Sequence, residues 1–133
     1  MILGINTAAL DEIIITLLDD NNHQVKIKKI KAPRQQAEKL LPGIASLLEQ
    51  KNIAFKQIKK IQVVSSGGSF TSLRIGVITA NALAYALNIS IEAVDNDGNI
   101  LPEQKLKKFA TYKIVSPQYD REPNIGISKK NIS

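Results

Sequence analysis

The stretch Ile61-Gln62-Val63-Val64-Ser65-Ser66-Gly67-Gly68-Ser69-Phe70-Thr71-Ser72-Leu73-Arg74-Ile75-Gly76 decides the fold of this chain. A β-branched run, a Gly/Ser corner and an apolar run follow one another without a gap. This is how a buried strand turns into a helix that packs back on its own sheet. The corner leaves backbone N–H groups free at the helix start, where they hold an anion or simply make a tight turn. Serines in such a corner usually act as caps.

Working outward, Thr71 to Leu87 reads as a helix with Leu73, Val77, Leu83 and Leu87 as large residues and Gly76, Ala80 and Ala84 as small ones four apart. Small residues at that spacing let another backbone approach closely. Burying such a face contributes about 1.5–3 kcal/mol per large side chain. Ile89 to Val94 is the next strand. Upstream, Arg34 to Lys51 carries Ala37, Leu40, Leu41, Ile44, Leu47 and Leu48 at spacings of three and four, an amphipathic helix with Pro42 inside it. The proline predicts a kink or a late helix start, and Asn52 a stop. Ile2 to Asn6 and Glu12 to Leu18 are strands. Asp19-Asp20-Asn21-Asn22 is a turn, and His23 to Lys31 is a half-exposed strand with Val25 and Ile27 on one face and Lys26 and Lys28 on the other. Beyond Val94, Asp95 to Asn99 is a turn. It fails as a calcium loop, because Ile100 and Leu106 stand where that loop needs Gly and Glu. Pro102 to Phe109 reads as a short helix, Tyr112 to Ser116 as a last strand, and the residues from Pro117 as a polar tail.

The order βββαβαβ predicts an α/β fold in which helices flank a mixed sheet. It is similar to the first half of an actin-like, or ribonuclease-H-like, domain. The expected division is an N-terminal domain over residues 1–97 and a reduced second part over 98–133.

Composition narrows the chemistry. The 133 residues, 44% hydrophobic, suffice for one packed domain. There is no cysteine and one histidine, His23, so neither a thiolate site nor a histidine pair exists within one chain. Ser65, Ser66, Ser69 and Ser72 have no base but His23, so no serine hydrolase constellation is legible. The sequence shows neither a signal peptide nor an apolar run near the length of a membrane span, and a cytoplasmic location is expected. The formal charge is +6, unevenly spread: residues 24–60 carry ten Lys/Arg against two Glu, a local balance of +8. Such a segment either attracts RNA phosphates or guards a sheet edge against pairing. The 5% aromatic content disfavours a binder of single-stranded RNA.

Gly68-Ser69-Phe70-Thr71 with Leu73-Arg74-Ile75-Gly76 resembles the central motif of the TsaB (YeaZ) family. Further likenesses are Ile2 to Thr7, Glu38-Lys39-Leu40-Leu41-Pro42, the helix segment Thr79 to Ala84, and Pro117-Gln118-Tyr119-Asp120-Arg121-Glu122-Pro123. Asn6 departs from the family's Asp, Ser66-Gly67 from its Gly-Pro and Ser72 from a Gly, and the C-terminal motif arrives early, as in a shortened member. The resemblance implies an actin-like fold and a non-catalytic scaffold subunit of the tRNA N6-threonylcarbamoyladenosine complex. That subunit would pair with a TsaD-type transferase, be served by a TsaE-type ATPase and meet tRNA through the complex. It would hold no cofactor or metal alone, with ATP at the level of the complex, and would form a homodimer when alone. The related transferase carries paired histidines on a helix, where this chain has Gln35, Gln36 and Lys39. Leu40, Leu41, Ile44, Leu48, Gly76, Ala80, Leu83 and Ala84 are the expected interface. Gly67, Gly68, Ser69, Phe70, Thr71 and Arg74 form the corner, structural or anion-binding. The alternatives are a nucleotide-binding phosphotransferase of the actin-like fold, with the corner around phosphate, and a self-associating structural protein.

Overall fold

The computed structural model describes residues 1–102, 107–109 and 112–114. Five strands, β1 (Ile2–Asn6), β2 (Glu12–Leu18), β3 (Gln24–Lys31), β4 (Lys60–Val64) and β5 (Ser90–Val94), form one sheet in the order β3-β2-β1-β4-β5. The first three make an antiparallel meander, while β1–β4 and β4–β5 are parallel. Helix α1 (Gln36–Gln50) connects β3 to β4 by way of a 3-10 turn at Phe55–Gln57, and α2 (Phe70–Leu87) connects β4 to β5. This is the mixed sheet expected from the βββαβαβ order.

Alternation along the strands builds the core. Ile13, Ile15 and Leu17 are buried while Ile14, Thr16 and Leu18 are half-exposed. The register sets Leu17 beside Leu3 and Leu3 beside Ile61, so apolar rows cross the sheet. Both helices cover this one face and touch each other, with α1 on β2 and α2 on β4, β1 and β5. Leu40, Ile44, Leu47 and Leu48 of α1 and Val77, Ala80 and Ala84 of α2 complete the core.

Several sequence expectations are corrected in detail. Helix α1 starts at Gln36, not Arg34, because residues 33–35 form a turn in which Arg34 adopts φ +60. It then runs unbroken through Pro42, whose position is exposed. Asn52 (φ 54) and Asn88 (φ 56) are left-handed just beyond α1 and α2, where asparagine is tolerated. Val25 and Ile27 are exposed, 41% and 38%, and Lys28 and Ile30 lie on the helix side. Lys107–Phe109 is not helical but a short strand, β6, paired antiparallel with β7 (Tyr112–Ile114). The rest of the expected helix and last strand, and the residues from Pro117, lie outside the described residues. Helix α2, with 18 residues, is long and apolar enough by length and composition to cross a membrane, unlike the sequence expectation. Here it packs on the sheet through Leu73, Gly76, Val77, Ala80 and Ala84.

Candidate functional site

The parallel strands β1, β4 and β5 all end at the same edge of the sheet, the usual place for function in α/β folds. The turn after β1, the Gly/Ser corner, the start of α1 and the turn after β5 meet there.

Thr7, fully buried, is the hinge of this junction. Its Oγ1 accepts from the Gly76 amide at 3.2 Å and donates to the Ser72 carbonyl. Those are two groups that an α-helix pairs with each other, so the Thr7 hydroxyl sits inside the hydrogen-bond ladder of α2. Such intimacy needs glycine: a Cβ at Gly76 would lie 2.6 Å from Thr7 Oγ1. Gly68 is constrained likewise, since its Cβ would come within 2.7 Å of the Ala8 carbonyl oxygen and 2.8 Å of its Cα. The two glycines, eight apart in sequence, thus seat α2 on two consecutive residues at the end of β1.

The remaining corner residues have structural partners. Ser69 caps α2, its Oγ accepting from the Ser72 amide at 3.1 Å. Gly67 has φ +84, which turns the chain from β4 into the helix. The Arg74 guanidinium lies 5.7 Å from the centre of the Phe70 ring, and both Arg74 and Thr71 are exposed. Ser65 is buried, and its Oγ has no hydrogen-bond partner among the described residues.

Asn6 fills the position at the tip of β1. Its Oδ1 accepts from the Ala8 amide at 2.9 Å, and its Nδ2 donates to Asn96 Oδ1 at 3.0 Å. The Ala8 amide is therefore engaged within the chain itself. Gln36, 4% exposed, closes the same turn from α1: its Nε2 donates to the carbonyls of Ala9 at 2.6 Å and Glu12 at 3.0 Å. Thr7 and Gln36 carry the junction, yet the sequence reading singled out neither as a site residue. The available signal was a polar pair bracketing the first turn, Thr7 at the end of an apolar strand and Gln36 at a helix start.

Charge and acid–base chemistry are sparse. Asp95 holds its turn by accepting from the Asn99 and Asp97 amides, both at 2.9 Å. The Asn99 amide, first among these donors, lowers the Asp95 pKa below the ordinary aspartate range. Asp19 is lowered in the same way, chiefly by the His23 amide. His23 is exposed and follows the β2–β3 turn. The pairing of Ile2 with Leu18 and of Asn6 with Ile14 puts that turn at the opposite end of the sheet from the corner. It cannot activate the corner serines. Among the described residues no three His, Cys, Asp or Glu side chains converge.

Of the eight expected interface residues, Leu40, Ile44, Leu48, Gly76, Ala80 and Ala84 are buried within the chain itself, and Leu83 is half-buried against the core. Leu41 of α1, 47% exposed, remains at the surface, and α2 also presents Ile78 (56%) and Tyr85 (62%).

A mixed sheet with both helices on one face, and a glycine-seated helix at the end of its first strand, is the arrangement of an actin-like domain. A family model described as TsaD, tRNA N6-adenosine threonylcarbamoyltransferase, matches residues 24–103, more than half of the chain. The chain is 34% identical over 95 residues to the Bacillus subtilis tRNA threonylcarbamoyladenosine biosynthesis protein TsaB, with 71% of this chain and 41% of that protein covered. The TsaB of Buchnera aphidicola is 27% identical over 64% of this chain and 38% of its own. The solved structure of YeaZ from Pseudomonas aeruginosa superposes with TM-score 0.64 at 26% identity, covering 71% of this chain and 43% of that one. The chain belongs to the TsaB (YeaZ) family, and it spans about two fifths of the length of the relatives it matches.

Proposed function

We propose that this chain is a non-catalytic scaffold subunit in the biosynthesis of tRNA N6-threonylcarbamoyladenosine and that it pairs with a TsaD-type transferase through the outer faces of α1 and α2. The observation that carries this reading is the group of large apolar residues, Leu41, Ile78 and Tyr85, left exposed on two neighbouring helices. Relatives named for that pathway, and the match to the TsaD family model, support a TsaD-type partner. Apolar residues raised on a helix pair suit helix-to-helix packing with another chain. Leu41 and Leu83, from the residues expected at the interface, belong to this contact together with Ile78 and Tyr85. The buried ones act indirectly, by fixing how α1 and α2 sit on the sheet.

The chain contributes binding rather than chemistry. The engaged Ala8 amide and the Asn6–Asn96 bridge disfavour phosphate in the chain's own junction, so ATP belongs to the complex. A TsaE-type ATPase and tRNA join at that level, the working compartment is the cytoplasm, and the same helix faces would pair two copies when the transferase is absent. The test is complementation. In a bacterium depleted of its TsaB-type subunit, this chain should restore threonylcarbamoyladenosine in tRNA, read by nucleoside mass spectrometry. The Ile78→Glu/Leu41→Glu variant should not. Restoration by that variant would contradict the surface, and failure of the folded chain would contradict the function.

A further inference from the structure

Strand β3 ends the sheet, and among the described residues only β2 pairs with it. Four of the six residues at 26–31 are lysines. Strand alternation places Lys26 and Lys28 on the helix side and Lys29 and Lys31 on the other, so cations flank the edge from both faces. None of the four forms an ion pair among the described residues. Lys28 is held in place, its Nζ donating to Ser46 Oγ of α1 at 3.2 Å. Lys39 Nζ reaches the Lys31 carbonyl at 3.5 Å and brings a fifth cation to the upper end. This strip lies on a different element from the apolar residues of α1 and α2.

We propose that the β3 edge docks the phosphodiester backbone of a folded RNA, which, resting on the function proposed above, is tRNA. Lysines on both sides of one edge, without ion pairs among the described residues, match a polyanion laid along it. Gln24–Lys31 contains no aromatic residue, so the strip offers charge to phosphates and no platform for bases. The contact is therefore salt-dependent, indifferent to sequence and suited to helical RNA.

The test uses the full chain and a fluorescein-labelled, unmodified tRNA transcript, with anisotropy read across stepped KCl. The Lys26→Gln/Lys29→Gln/Lys31→Gln variant leaves the Lys28–Ser46 contact intact. It should bind roughly tenfold more weakly at low salt, with the slope of log affinity against log salt reduced by about two to three. Changing the same three residues to Arg should keep wild-type affinity. A control, Lys51→Gln/Lys56→Gln/Lys59→Gln, removes equal charge elsewhere and should alter affinity by less than about threefold. Circular dichroism melts establish that each variant is folded. Equal loss in the control, or no binding by the wild type, overturns the proposal. So does a polyglutamate peptide that binds the wild type when tRNA does not, which would make β3 an acceptor for an acidic strand. Capture of the transferase is measured on the same variants. Intact RNA binding without capture would sink the scaffold reading alone, and intact capture without RNA binding would sink this one alone.

Discussion

Gly76 is where one atom decides whether α2 can sit on β1. Adding a methyl group there drives it against Thr7 Oγ1, so Gly76→Ala should lower stability by about 1–3 kcal/mol in urea unfolding. Removing the obstacle with Thr7→Ala should recover part of that loss, giving a non-additive cycle. Strictly additive effects would mean that α2 is not seated by this contact. Gln36 makes a second local prediction. Gln36→Leu keeps the bulk but leaves the Ala9 and Glu12 carbonyls without their donor, a cost of about 1–3 kcal/mol visible as a lowered Tm. Both glycines were legible in the sequence as members of a corner motif. Their reason was not, because the residues they touch, Thr7 and Ala8, lie some sixty positions earlier. Gln36 was legible only as the absence of histidine, and its clamp on the first turn depends on a register that periodicity does not encode.

Among the elements, β1 and β2 were readable to the residue because β-branched runs end at turn formers. The edge strand β3 was less so. Its alternation showed one side more apolar than the other, yet the covered side is that of Lys28 and Ile30, and the pairing with β2 shifts between Leu17 and Leu18. Strand β6 was misread because its lysines favour a helix locally while pairing with Tyr112–Ile114 favours a strand. The three-residue 3-10 turn at Phe55–Gln57 is too short to show a period. The two aspartate turns carry a pH prediction. A carboxylate whose pKa is lowered in the folded chain adds stability above its unfolded pKa and loses it as pH falls through the folded value. Asp19 and Asp95 should therefore hold their turns until the pH drops below the ordinary aspartate range. NMR titration of the His23 and Asn99 amides should report midpoints there, and midpoints at or above that range would contradict the capping geometry.

For the whole molecule, the mixed sheet and its two helices were foreseeable from the order βββαβαβ, whereas the division of apolar residues between core and surface was not. A helix with apolar residues around most of its girth does not say which of them the sheet will take. The sheet takes Ala80 and Ala84 and leaves Ile78 and Tyr85. The central claim is that these remaining side chains bind a transferase. It is tested most directly by co-expressing this chain with the TsaD-type transferase of the same genome and measuring the purified material by size exclusion with light scattering. A one-to-one complex that forms with the wild type and is lost with Ile78→Glu/Leu41→Glu is the expected result. Exposed substitutions of this kind should change folding stability by only about 0.5 kcal/mol each, which denaturation of the variant checks. Absence of the complex at micromolar concentration, or its survival in the double variant, would contradict the account.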